Sequence, residues 1–206
     1  MSFPINPRKM ALINVDMQNC FVENSPIAAP DGLTLVDRIN LLIKSCRETG
    51  VLVVHTSHVV RDDKSNVGVM GEIIPTENID LIRKGRSTAD LHHRIDVADG
   101  DILLDKPRFG AFHGTDLELI LRARQVDTII VSGICTNICC ETTAREANVR
   151  DFRVFFLTDG TATFGINDLS AADIQNATCA TLGFAFAQLS TVSEMINSLK
   201  AVPTGN

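Results

Sequence analysis

Short apolar runs alternate along this chain with segments whose apolar residues recur every three or four positions. Met10–Val15 (MALINV) is an unbroken apolar run but for Asn14, ends at Asp16, and predicts a first strand. Leu35, Ile39, Leu42, Ile43 and Cys46 follow at helical spacing, and Gly50 stops that helix. Val51–Val54 predicts a second strand, Asp101–Asp105 a third that ends before Pro107, Asp127–Ser132 a fourth and Val154–Leu157 a fifth. Between them, helices are expected around Leu117, Ile120 and Leu121, and from the turn after Ser132 through to Asn148. An Ala-rich helix spans about 168–182, Phe184–Leu189 is a candidate sixth strand, and Thr191–Leu199 a last helix. The tail Pro203–Asn206 is expected to fray.

Strands that read as continuous Val, Ile and Leu are buried on both faces, and their alternation with helices implies a parallel sheet. The expected fold is therefore α/β: a doubly wound, mainly parallel six-stranded sheet with helices on both faces. Residues 1–206 form a single domain, since the sequence shows no repeat, linker or low-complexity tract. The stretch from Ser57 to Asp99 is too long for a bare connection and is expected to carry short elements or a lid.

Composition narrows the partners. The net charge of −6 and the lack of Lys/Arg runs argue against nucleic acid and anionic membranes. No apolar run is long enough to cross a bilayer, and the N-terminus lacks a signal-peptide pattern, so a cytoplasmic enzyme is expected. A cytosolic chain of 206 residues needs no disulfides to hold its core. The six cysteines include no CxxC pair, and the adjacency of Cys139 and Cys140 suits tetrahedral zinc poorly. No metal or other cofactor is expected, and no GxGxxG or P-loop follows the first strand.

Open α/β sheets bind ligands beyond the carboxyl ends of their strands. Residues expected there are Asp16, then His55 and His58, then Lys106, then the turn from Ser132 to Cys140. A cysteine at a helix entrance meets free backbone N–H groups and the positive end of the helix dipole, both of which favour a thiolate. A proton acceptor is also needed. Among five histidines none is placed as clearly as Asp16, and Lys106 is placed to orient a carboxylate. Each residue alone has a commoner structural role; their shared position at one sheet edge is the stronger signal.

At these residues the chain resembles the isochorismatase-like cysteine hydrolases. Asp16-Met17-Gln18 resembles the family's D-x-Q motif at the end of its opening strand. Lys106-Pro107 with Gly110 and Phe112 resembles its K-P-x-x-(S/G)-x-F segment. Residues 133–147, GICTNICCETTAREA, resemble its G-(I/V)-x-T-(N/D)-x-C signature. The resemblance implies Cys139 as nucleophile, Asp16 as general base and Lys106 as the third member of the triad. It also implies a cis peptide at Ile134–Cys135 and an oxyanion hole made by the backbone N–H groups of Cys135 and Cys139. Gln18, Phe21, Arg108, Phe109, Phe112 and Thr136 are candidate substrate contacts.

The implied activity is hydrolysis of a C–N bond in a small linear amide or ureido compound through a thioester. Compounds of the ureidoacrylate, biuret, N-carbamoylsarcosine and maleamate type are expected, and the resemblance implies a homodimer or homotetramer. Thr56 stands where nicotinamidases of the family carry a metal-binding Asp, which weakens that alternative. Vinyl-ether hydrolysis of isochorismate needs no cysteine and is the second alternative. A binding or redox protein on the same scaffold is the third.

Overall fold

A computed structural model describes residues 3–202; the expected fraying of the tail lies outside them. In chain order the elements are β1 (Met10–Val15), α1 (Asn19–Val22), α2 (Gly32–Thr49), β2 (Leu52–His58), α3 (Met70–Ile73), α4 (Thr76–Leu81) and β3 (Ile102–Lys106). Then come α5 (Leu117–Ala123), β4 (Thr128–Ile134), α6 (Glu141–Asn148), β5 (Arg153–Ala162), α7 (Ala171–Ala185), β6 (Gln188–Ser190) and α8 (Val192–Lys200). The six strands form one sheet in the order β3-β2-β1-β4-β5-β6, and every pairing is parallel.

The apolar runs explain why both sheet faces are covered. Met10 and Leu12 of β1 pack with α2 and α8 in one buried cluster. Ala11, Ile13 and Val15 point the other way and pack with α5, α6 and α7 in a second. This period-two division puts apolar side chains on both faces of a central strand. Helix limits follow from capping chemistry. Gly50 takes the left-handed conformation that ends α2, and its N–H bonds back to carbonyls of the last turn. Ser170 with Asp173 and Thr191 with Glu194 form capping boxes at the starts of α7 and α8.

Three elements differ from expectation. β2 continues past Val54 to His58, because β3 lies alongside and pairs Ser57 with Asp105 and His58 with Lys106. His55 and His58 therefore sit within the strand. β5 likewise runs through Asp159 and Gly160 to Ala162, with a register shift against β4 between Val131 and Gly133. The apolar stretch from Phe184 begins inside α7, which runs to Ala185 and leaves Phe184 93% exposed; β6 starts only at Gln188 and has three residues.

The segment 57–99 holds α3, α4 and a single 3-10 turn at Ser87–Ala89, and it folds back on the end of β1. Gln18 bridges to Leu91, and the His92 N–H bonds to the Met17 carbonyl. Val60, Met70, Ile79 and Ile82 bury themselves against α1 and α2.

Two features set the sheet's centre. Gly133 has φ +118°, and a Cβ there would lie 2.0 Å from the Val15 carbonyl oxygen, so only glycine lets β4 meet β1 at this point. Across the sheet, a polar chain links Ser132 to Asn14, Asn14 to His55, His55 to Asp101 and Asp101 to Arg47. Asp101 also accepts the Ala98 N–H and thereby fastens the chain entering β3 to β2 and α2. Burial pushes the Asp101 carboxyl up, but hydrogen bonds from Arg47, Ala98 and His55 outweigh it and hold the group below its ordinary value of 3.8.

Gly133→Ala is expected to lower stability by about 3 kcal/mol from strain and overlap together, measured as a reduced urea midpoint. Asp101→Asn is expected to cost about 2 kcal/mol at pH 7. Because the folded pKa of Asp101 is depressed, its contribution is full above about pH 3.8 and is lost as pH falls below it. Denaturation curves should therefore show wild type and variant converging as the pH drops below that value.

Candidate active site

The sheet order reverses between β1 and β4, where successive connections leave on opposite faces and open a crevice at the strands' carboxyl ends. Asp16 leaves β1 with φ +49° and is fully buried. Its own N–H bonds to the Thr56 carbonyl, and its Oδ1 accepts the Thr56 hydroxyl at 2.7 Å. The other oxygen, Oδ2, lies 2.7 Å from Lys106 Nζ, with both side chains at zero exposure. That contact is a buried ion pair. The ammonium also donates to the carbonyls of Arg108 (2.9 Å) and Phe109 (2.8 Å). Burial pushes the Lys106 pKa down, but Asp16 beside it more than compensates, and the net shift is upward.

Cys139 comes from the other side of the crevice. The Ile134–Cys135 peptide is cis, and a π turn at Thr136–Cys140 then leads into α6. Cys139 is 3% exposed, and its sulfur lies within 4.8 Å of a carboxylate oxygen of Asp16. A ring nitrogen of His58, a carboxylate oxygen of Asp16 and the Cys139 sulfur lie within 4.8 Å of one another. These atoms are metal-type donors, yet the Lys106 ammonium already supplies the positive charge at this carboxylate.

Burial pushes the Cys139 thiol up to about 12; Lys106 pulls it down, while the charge of Asp16 pushes it further up. The balance favours the protonated thiol, against the pull expected of a helix entrance and in keeping with the need for a proton acceptor. Cys139 sits in the π turn ahead of the eight-residue α6, where desolvation and a neighbouring carboxylate exceed the pull of the helix end. Cys20, Cys135 and Cys140 are likewise buried and pushed upward by burial. All six cysteines are free.

Several expected substrate contacts serve the scaffold instead. Both amide hydrogens of Gln18 are spent on the carbonyls of His58 and Ala89, and its oxygen accepts the His58 N–H. Arg108 donates through one guanidinium nitrogen to the carbonyls of Asn66 and Pro107. Phe21 is buried in the core cluster on the α2 face. Phe112 packs on Phe152, and Arg150 lies over its ring. Thr136 donates to Gln175 of α7. Phe109 alone of the three phenylalanines meets a site residue, edge-on to His58 at 5.5 Å between centroids. His55 is a link in the chain to Asp101.

Sequence reasoning passed over four residues that build this region. Thr56 holds Asp16. Gln175 ties α7 to Thr136 and to Thr158 of β5. Thr143 donates to the Cys139 carbonyl and accepts the Ala111 N–H, while Glu146 accepts the Phe112 N–H. A side chain at Gly110 would collide with the Glu146 carboxylate, 2.1 Å from the ideal Cβ. The segments 106–112 and 139–147, which look like separate motifs in sequence, thus grip one another. The spacing of Thr143 and Glu146, three residues apart on one helix face, is the signal that was available.

A family profile described as Isochorismatase domain matches residues 10–194. The chain is 35% identical over 196 residues to the protein named Nicotinamidase 3 of Arabidopsis thaliana, covering 94% of this chain and 90% of that one. It is 29% identical over 201 residues to an N-carbamoylsarcosine amidase of Arthrobacter sp, covering 94% and 72%. A solved cysteine hydrolase from Pseudomonas syringae pv. phaseolicola 1448A superposes with a TM-score of 0.92 at 34% identity, over 97% of this chain and 96% of that one. No helix among the described residues is long and apolar enough to cross a membrane.

With the thiol at about 12, alkylation of Cys139 by iodoacetamide is expected to be slow at neutral pH and to climb steadily into the alkaline range. Asp16→Asn removes both the carboxylate charge and the acceptor that favour the protonated form. The climb should then begin at lower pH, read by mass spectrometry of the peptide that carries Cys139.

Proposed function

The chain belongs to the isochorismatase domain family of hydrolases, and from that premise we propose that it is a cysteine-dependent amidohydrolase. It cleaves the C–N bond of a small linear amide or ureido compound. The observation that supports this reading is the meeting of a thiol, a carboxylate and an ammonium from three distant segments, all buried. Relatives named for amidase activity point to the same bond.

In the reaction, Asp16 takes the thiol proton of Cys139 as the sulfur attacks the substrate carbonyl carbon. Because the resting thiol is neutral, proton transfer accompanies attack. Lys106 holds the Asp16 carboxylate in line through Oδ2, and Thr56 holds it through Oδ1. The backbone N–H groups of Cys135 and Cys139 stabilise the oxyanion. The C–N bond breaks as Asp16 returns its proton to the nitrogen, releasing ammonia or an amine and leaving a thioester on Cys139. Water then gives a proton to Asp16 and attacks the thioester; the C–S bond breaks, the acid leaves, and the proton returns to sulfur.

The 35% identity to a protein named a nicotinamidase keeps nicotinamide among the substrates to be tried, although Thr56 spends its hydroxyl on Asp16. Ether hydrolysis is less well supported, since it gives Cys139 nothing to do.

The test is ammonia release from ureidoacrylate, N-carbamoylsarcosine, biuret, maleamate and nicotinamide. At least one is expected to be hydrolysed, with Cys139→Ala lowering kcat by about 10⁴-fold or more and leaving the circular dichroism spectrum unchanged. Full activity in Cys139→Ala would overturn the mechanism.

A further inference from the structure

His58 is the one histidine at the crevice that neither the scaffold nor the proposed mechanism accounts for. It is 2% exposed, and its Nε2 has no hydrogen-bond partner. Its position is fixed on every side. Its backbone is held in both directions by the Gln18 amide and paired in register with Lys106. Its ring stands edge-on against Phe109. The charged groups that face it are the cations Lys106 and Arg108 and the Asp16 carboxylate, within 4.8 Å of a ring nitrogen; burial first, and then the two cations, hold the imidazole pKa well below its ordinary value of 6.5. Nε2 is the buried ring nitrogen without a partner, so a neutral ring that carries its proton on Nδ1 has its lone pair on Nε2.

A buried acceptor left unpaired is costly, and such a group in a native protein calls for an explanation. The spacing supplies one. A ring nitrogen of His58 lies within 4.8 Å of the Cys139 sulfur. A sulfur attacking a carbonyl carbon stands about 3–3.5 Å from it. The amide nitrogen lies about 1.3 Å beyond that carbon. An N–H donor then reaches an acceptor at about 2.9 Å. With the bend at the carbon and at the nitrogen, these lengths close across the observed gap.

We propose that His58 Nε2 accepts a hydrogen bond from the N–H of the scissile substrate nitrogen, and so selects amides and ureido compounds that carry hydrogen on that nitrogen. The inference rests on the amidohydrolase reading and adds the group that recognises the leaving nitrogen. Asp16 delivers the proton to that nitrogen while His58 holds its existing N–H, which fixes the plane of the amide against the sulfur. An ester, or an amide fully substituted on nitrogen, leaves Nε2 unpaired.

The experiment compares kcat/KM for the amide that the wild type hydrolyses and for its N,N-dimethyl analogue, in wild type, His58→Leu and His58→Gln. The glutamine side-chain oxygen reaches near the place of Nε2 and accepts a hydrogen bond; leucine fills the space and accepts none. His58→Leu is expected to lose about tenfold or more in kcat/KM on the N–H substrate with little change on the dimethyl analogue, and His58→Gln to recover most of the loss. Iodoacetamide labelling of Cys139 at pH 9 should match across the three proteins, showing that the thiol and its base are intact. Equal kcat/KM in wild type and His58→Leu, or an equal loss on both substrates, overturns the assignment of His58. No hydrolysis of any amide or ureido compound by the wild type overturns the amidohydrolase reading and this inference with it.

Discussion

The buried pair of Asp16 and Lys106 is the contact on which the crevice depends. Neither side chain has any exposure, and each would be costly alone. The carboxylate is satisfied by Thr56 on one oxygen and faces the ammonium on the other; the ammonium is satisfied by two carbonyls of the segment that follows it. The pair therefore fixes more than two charges. It binds the end of β1 to the end of β3 across β2, and it bends the chain at 107–109 around Nζ. Breaking such a pair by removing one partner typically costs about 3–5 kcal/mol, so the arrangement is held firmly.

Around that pair the protein spends side-chain hydrogen bonds on its own backbone. Gln18 clasps His58 and Ala89, Thr143 and Glu146 clasp Ala111 and Phe112, and Arg108 clasps Asn66. Loops at the carboxyl edge of a sheet lack the ladder that orders strands, and these clasps replace it. The consequence for chemistry is preorganisation: the thiol and carboxylate meet in a dry setting before substrate arrives. The same dryness pushes the Cys139 thiol up to about 12, and the proposed reaction answers that with the neighbouring carboxylate.

Much of the molecule was legible in the chain. Runs such as MALINV and TIIV carry apolar residues on both faces, so they read as buried parallel strands, and Gly50, Ser170 and Thr191 carry their capping chemistry in their identity. The convergence of Asp16, Lys106 and Cys139 was also readable, because each follows or ends a strand and the carboxyl ends of parallel strands share one edge. Assigning Phe184 to a strand failed because an apolar residue past an Ala-rich stretch looks the same on a helix exterior as in a short strand.

The sequence by itself determined the fold class, the strand-ending positions and the residue types at the crevice, since these depend on local periodicity and on the direction shared by all strands. Only the tertiary structure decided how each polar group is used. Gln18, Arg108 and Thr136 have the chemistry of ligand contacts, yet their hydrogen bonds go to backbone or to Gln175, while His58 keeps a nitrogen bare. The burial that pushes the Cys139 thiol upward is set there too. The physical reason is common to all: a polar group's partners and its desolvation are set by atoms tens of residues away in the chain, and no local pattern records them.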